Sequence, residues 1–297
     1  MTVHHEYNDT MRDTKRALQW YMDMGIDMAV DDAPVDKTVL TTNIVASTMP
    51  AVTGQPTAPL AVSSATQQQA APPRTDIPLG SAVARGDSIK RAVVAATLDA
   101  LQDAIRGFDG LAVKKTATNM VFADGDVRAD LMVIGEAPGA DEDRIGKPFV
   151  GVSGQLLDQM LACIGLSRTD DDPKKSVYIS NILNWRPPGN RTPGPAEIDV
   201  SLPFIERHII LAKPKMLLFV GGVAAKSLLA SDQGISKLRG RLHEYMPQTP
   251  DLRAMMDKPI PAMATFHPSY LLRTPTHKRA AWQDLLALRE KLDHLGQ

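Results

Sequence analysis

At 297 residues with 43% apolar content, the chain can form one large domain or two small ones around a real core. It lacks any apolar run near the roughly 18 residues of a membrane span, and MTVHHEYNDTMRDTKR at the start lacks a signal peptide's apolar region. A single cysteine, Cys163, excludes an internal disulfide framework and an all-cysteine metal site, so a cytoplasmic location without membrane contact is expected. The net charge of −1 hides a split: 5 Lys+Arg face 9 Asp+Glu up to residue 84, and 28 face 25 from there on, so phosphate contacts are expected to be local rather than spread over a basic face.

In chain order, Leu18, Met22 and Ile26 recur at helical spacing beside Trp20 and Tyr21, which predicts a short amphipathic helix within residues 1–31, able to dock on the main domain or on a protein partner. Residues 32–85 are rich in Thr, Ser, Ala, Pro and Gln and without aromatics, a composition that cannot bury enough surface to offset ordering entropy, so they are expected to be a disordered linker. The remaining 86–297 form the expected folded domain. It opens with a helix over 87–106, capped by Asp87-Ser88 and carrying Ile89, Val93, Leu98, Leu101 and Ile105.

Leu131–Ile134 is an apolar run long enough for a buried strand, stopped by Gly135-Glu-Ala-Pro-Gly139. The loop is not a dinucleotide fingerprint, since the third glycine is missing, nor a P-loop, since no Gly-Lys-Ser/Thr closes it. Alone, its glycines could merely turn the chain. Asp141-Glu142-Asp143 and Lys147-Pro-Phe-Val-Gly151 follow. A helix is predicted over 154–164, with Cys163 on it as a buried apolar residue. A second strand, 177–181, runs into the irregular NWRPPGNRTPGP. A helix over 195–211, kinked at Pro203, precedes a third strand at 216–221 and a helix from 224 to 229. Residues 238–246 suggest a hairpin segment, and 262–266 a fourth strand that delivers His267-Pro-Ser-Tyr-Leu-Leu-Arg273. A last helix bears Trp282, Leu285, Leu286 and Leu292. The alternation predicts an α/β fold, a three-layer α/β/α sandwich around a central, mostly parallel four-stranded sheet, with ligands at the carboxyl ends of its strands.

Three loops then sit at predicted strand ends: GEAPGADED, SNILNWRPPGNR and FHPSYLLR. Together with KPFVG, their order and spacing over roughly residues 86–292 resemble family-4 uracil-DNA glycosylases. The resemblance implies a monofunctional enzyme of base excision repair. It would hydrolyse the N-glycosidic bond of flipped-out uracil in DNA, leave an abasic site and perform no lyase step. The alternative is a member of the same fold that binds DNA or senses damage without chemistry.

The resemblance also implies the site. Phe149 would stack the everted base, although as a bare residue it could be an ordinary core Phe. Asn181 would read uracil, whose O4 accepts and N3 donates, against the opposite pair on a side-chain amide; otherwise it is a strand-end cap. His267 would stabilise charge on O2 of the leaving uracil, and Glu142 would orient the attacking water. Glu136 would shape the pocket floor, and Ala137 stands where classical uracil-DNA glycosylases carry an aspartate. Backbone N–H groups of 136–139 could add donors. Leu271 and Leu272 would fill the gap left by the flipped base, and Arg273, Arg186, Arg191 and Lys147 are phosphate candidates or plain surface charges. Asp141 and Asp143 are expected to be solvated. Most of that family holds a [4Fe-4S] cluster on four cysteines. The aligned positions here are Phe108, Leu111, Trp185 and Ser201, so a protein without cofactor or metal, packed by apolar side chains, is expected. A monomer acting on uracil-containing DNA is the expected assembly.

Overall fold

A computed structural model describes residues 79–295. The expected N-terminal helix and nearly all of the expected linker lie outside the described residues. Helix α1, Leu79–Val94, begins inside the stretch read as linker, and α2, Leu98–Arg106, follows it. The single helix expected over 87–106 is therefore two. The chain breaks at Ala95–Thr97 because Thr97 takes an extended conformation and its side chain caps α2 by accepting from the backbone N–H of Ala100, a cap that contributes about 1 kcal/mol.

Six strands form one sheet in the order β1-β3-β2-β4-β6-β5. They are β1 Ala123–Gly125, β2 Leu131–Gly135, β3 Val177–Asn181, β4 Met216–Val220, β5 Leu242–Tyr245 and β6 Ile260–Thr265. The four expected strands are the parallel centre, β3-β2-β4-β6. The structure adds β1 and β5 as antiparallel edges. β1 is three residues with a mixed burial pattern, too short to show a period of two.

The central strands read as continuous apolar runs because both faces are covered. Met132, Ile134, Leu217, Phe219, Ala262 and Ala264 join one core cluster with residues of α1, α2 and the helix Pro195–Ala212. Leu131, Val133, Val177, Ile179, Leu218 and Val220 join the opposite cluster with Leu157 and Leu161 and with Leu285, Leu288 and Leu292. The three layers follow from that alternation. Pro203 lies inside the long helix. The register aligns the carboxyl ends of the parallel strands: Gly135 lies opposite Asn181, and Val220 opposite Thr265. The loops that follow thus leave from one edge. Among the described residues no helix is long and apolar enough to cross a membrane.

Candidate active site

A cavity of about 570 Å³ opens at that edge. It is lined by Glu136, Ala137 and Glu142 from the loop after β2 and from the short helix Ala140–Ile145, by Phe149, by Asn181 at the end of β3, and by His267 after β6. Arg191, Leu272 and Arg273 stand at the same cavity. Thus nine of the residues singled out in the sequence meet at one place.

Phe149 is 5% exposed, and its ring lies 5.7 Å from that of His267 at 31°. Its backbone is left-handed, with φ of 52°, which costs a non-glycine residue about 1–2 kcal/mol. The turn is over-determined by its neighbours. A Cβ on Gly154 would sit 1.9 Å from the Phe149 carbonyl oxygen, so only glycine lets the next helix, Val152–Ala162, begin so close beneath it. A Cβ on Gly135 would lie 2.4 Å from Asn181 Oδ1 and 2.5 Å from the Phe149 ring. Gly135 is therefore the bare floor on which the amide and the ring converge.

Asn181 is 2% exposed, and its Oδ1 has no hydrogen-bond partner among the described residues. An unsatisfied buried acceptor costs about 1–3 kcal/mol, and here it lines a cavity. His267 Nδ1 accepts the backbone N–H of Ser269 at 3.1 Å, so the neutral ring carries its proton on Nε2. Burial, reinforced by Arg273 and only partly opposed by Glu142, lowers its pKa to about 4. The Glu142 carboxylate accepts three backbone N–H groups, from Gly139 at 3.1 Å and from Val150 and Gly151 at 2.9 Å each. An ionised carboxylate offers about four acceptor directions, which leaves about one. The N–H of Gly139 is thus already spent on Glu142. Burial pushes the Glu136 carboxyl up.

Several expectations are corrected. Leu271 is 1% exposed and packs with Phe266 and Ala281, whereas Leu272 is 42% exposed at the cavity mouth. A helix, Pro268–Arg273, turns the two successive leucines about 100° apart, one inward and one outward. Asp143 is buried rather than solvated, because its Oδ1 accepts the N–H groups of Thr118 and Asn119. Cys163 is exposed, one residue past the end of its helix. Arg186 does not line the cavity; its Nε donates to Asn190 Oδ1 and its Nη1 lies 4.0 Å from Asp143. Lys147 pairs with Asp124 at 3.0 Å, and Arg191 with Glu197.

The residues that hold the site were missed in the sequence. Gly135 and Gly154 were read as punctuation and helix start, although a glycine in a helical pattern signals close packing. Arg168 gave no signal at all.

A family model described as the uracil DNA glycosylase superfamily matches residues 122–286. A type-4 uracil-DNA glycosylase from Pyrobaculum aerophilum is 32% identical over 194 residues, 63% of this chain and 91% of its own length. One from Archaeoglobus fulgidus is 36% identical over 165 residues, 54% of this chain and 76% of its own. Another, from Thermotoga maritima, is 35% identical over 162 residues, 54% and 76% respectively.

These relatives overturn the expectation of a protein without cofactor. They are type-4 enzymes, the class to which the resemblance attaches an iron–sulfur cluster, so kinship points toward a cofactor. The aligned side chains in this chain do not fit one. Phe108, Leu111 and Trp185 are buried in one apolar cluster, with Phe108 edge-on to Phe204 at 5.2 Å and Lys114 Nζ 5.7 Å over Trp185. Buried Ser201 Oγ and Trp185 Nε1 have no partner among the described residues, yet neither offers the thiolate such clusters take. Among the described residues no group of three or more His, Cys, Asp or Glu could hold a metal ion.

The sheet with its parallel centre, the loops gathered around one cavity and the match over more than half its length place this chain in the uracil DNA glycosylase superfamily.

Proposed function

We propose that the protein is a uracil-DNA glycosylase that hydrolyses the bond between uracil and deoxyribose, releasing free uracil and an abasic site for base excision repair. The base leaves the stack and enters the cavity. Phe149 offers it a π-face. The Asn181 amide accepts from N3–H and donates to O4, a pairing that cytosine reverses. As the C1′–N1 bond breaks, its electron pair moves onto the uracil ring, and His267 Nε2–H donates to O2, where negative charge gathers. Glu142, fixed by three N–H groups, keeps about one acceptor direction for the water that attacks C1′. Leu272 takes the space the base vacates, and Arg273 contacts a phosphate. Arg191, paired with Glu197, and Arg186, whose Nε donates to Asn190, keep further N–H donors for phosphate.

The observation that carries this reading is the unpaired, buried Asn181 Oδ1 on the cavity wall. A buried acceptor left open implies a ligand with a donor at that height. Nothing favours the alternative of binding without chemistry. The test is a uracil-containing oligonucleotide incubated with protein and then with alkali. Strand cleavage is expected, and binding without cleavage refutes the proposal.

A further inference from the structure

Arg168 lies outside the cavity, nineteen positions beyond Phe149, and its side chain is only 10% exposed. Its guanidinium donates from Nη1 to the carbonyl of Pro148 and from Nη2 to the carbonyl of Phe149, each at 2.9 Å. Two carboxylates aim it. Asp158, on the helix after the turn, accepts from Nε at 2.8 Å, and Asp124, on the edge strand β1, accepts from Nη1 at 3.2 Å. The planar fork of an arginine suits two successive carbonyls in a way a lysine cannot match.

These bonds fall on the turn that carries the left-handed Phe149. The peptide between Phe149 and Val150 is gripped at both ends: its oxygen by Arg168 and its N–H by Glu142 Oε1 at 2.9 Å. A cation and a carboxylate thus hold one peptide dipole between them, and that peptide joins the ring to the acidic side chain of the site. We infer that Arg168 is a positioning residue for uracil excision, fixing the Phe149 ring over the cavity through the 148–150 turn. The inference rests on the reading of Phe149 as the surface that receives the base.

The test is a double-mutant cycle of Arg168→Met with Phe149→Ala, with single-turnover excision rates on a single-stranded uracil oligonucleotide normalised to the folded fraction. A misplacement of about 1 Å can cost on the order of 10²-fold in rate, so Arg168→Met is expected to slow the wild-type background by about tenfold or more. In the Phe149→Ala background the same change should cost less than about twofold, since residues acting through one another are non-additive. Arg168→Lys should recover part of the rate and carries the cycle if the methionine variant does not fold. Equal losses in both backgrounds, or a wild-type rate in Arg168→Met, overturn the inference. A crystal structure of the variant decides it without activity: Phe149 leaving its left-handed conformation supports it, and Phe149 unmoved overturns it. If the unmutated protein releases no uracil, the proposed function fails, and the crystallographic arm alone still decides the role of Arg168.

Discussion

The backbone N–H of Ser269 points at Nδ1 of His267 across 3.1 Å. That bond fixes which ring nitrogen holds the proton in the neutral imidazole, and burial keeps the ring neutral by lowering its pKa to about 4. In the proposed mechanism the donor offered to the leaving base is therefore an uncharged Nε2–H. His267 is expected to contribute no titration to excision near 6.5, the ordinary value for histidine, and to stay neutral down to about pH 4. A pH–rate profile under single-turnover conditions checks this; an inflection near 6.5 contradicts it. Replacing His267 with Ala should lower kcat by about 10²–10³, the usual cost of one oxyanion donor.

The same depressed value has a consequence for stability. Below 6.5 the unfolded chain takes up protons that folded His267 refuses, and buried His208 behaves alike, with burial lowering its pKa to about 3. The contribution of these two histidines is then fully present above 6.5 and declines as the pH falls from 6.5 toward 3. Urea midpoints measured at pH 7.5 and pH 5 should show the lower value at pH 5. His208→Phe should reduce that difference, because its ring is stacked 4.3 Å from Phe122 and an apolar ring suits the same place. Its hydrogen bond to Tyr178 is lost in exchange.

Gly135→Ala separates fold from function. The added methyl group would meet Asn181 Oδ1 at 2.4 Å and the Phe149 ring at 2.5 Å, both at the far ends of side chains. Those side chains can move, so the sheet survives, but they move out of the positions in which they meet a base. Excision should fall by more than about tenfold with an unchanged far-UV circular dichroism spectrum. An active Gly135→Ala protein would show that the amide and the ring do not share the base.

Glu142→Gln addresses the three N–H groups that converge on one carboxylate. A glutamine amide keeps one oxygen and turns its NH₂ toward either Gly139 N–H or the pair from Val150 and Gly151. Rate loss should therefore come with a lower melting midpoint. Glu142 acting on water alone predicts rate loss with the midpoint unchanged. Parallel differential scanning calorimetry and single-turnover assays distinguish the two.

The parallel centre of the sheet was legible because Leu131–Ile134 and Met216–Val220 are unbroken apolar runs ending in glycine. The edges were not, since Ala123–Gly125 is too short to carry a period. Phe149, Asn181 and His267 were legible through the motifs that carry the family resemblance, and the structure brings all three to one cavity. The site was illegible wherever a residue acts through the backbone. Arg168 grips the turn through two backbone carbonyls, and Asp143 is held by two backbone N–H groups. Such partners leave no pattern in sequence. Cys163 was misread because helical spacing was carried past the real end of its helix at Ala162.

Leu271 and Leu272 look alike in sequence and part company in the structure. Leu271 is buried against Phe266, so Leu271→Ala should cost about 2–5 kcal/mol, the range for a truncated core leucine. Leu272 is exposed, so Leu272→Ala should change stability by less than about 0.5 kcal/mol. If its side chain fills the space of the everted base, the loss should appear on double-stranded uracil DNA, where a partner base and stacked neighbours must be held apart, and be smaller on single strands. Thermal melts of both variants, followed by excision assays on the two substrates, test the pair. Equal loss by Leu272→Ala on single and double strands removes it from this role, and an unshifted melt for Leu271→Ala contradicts its burial.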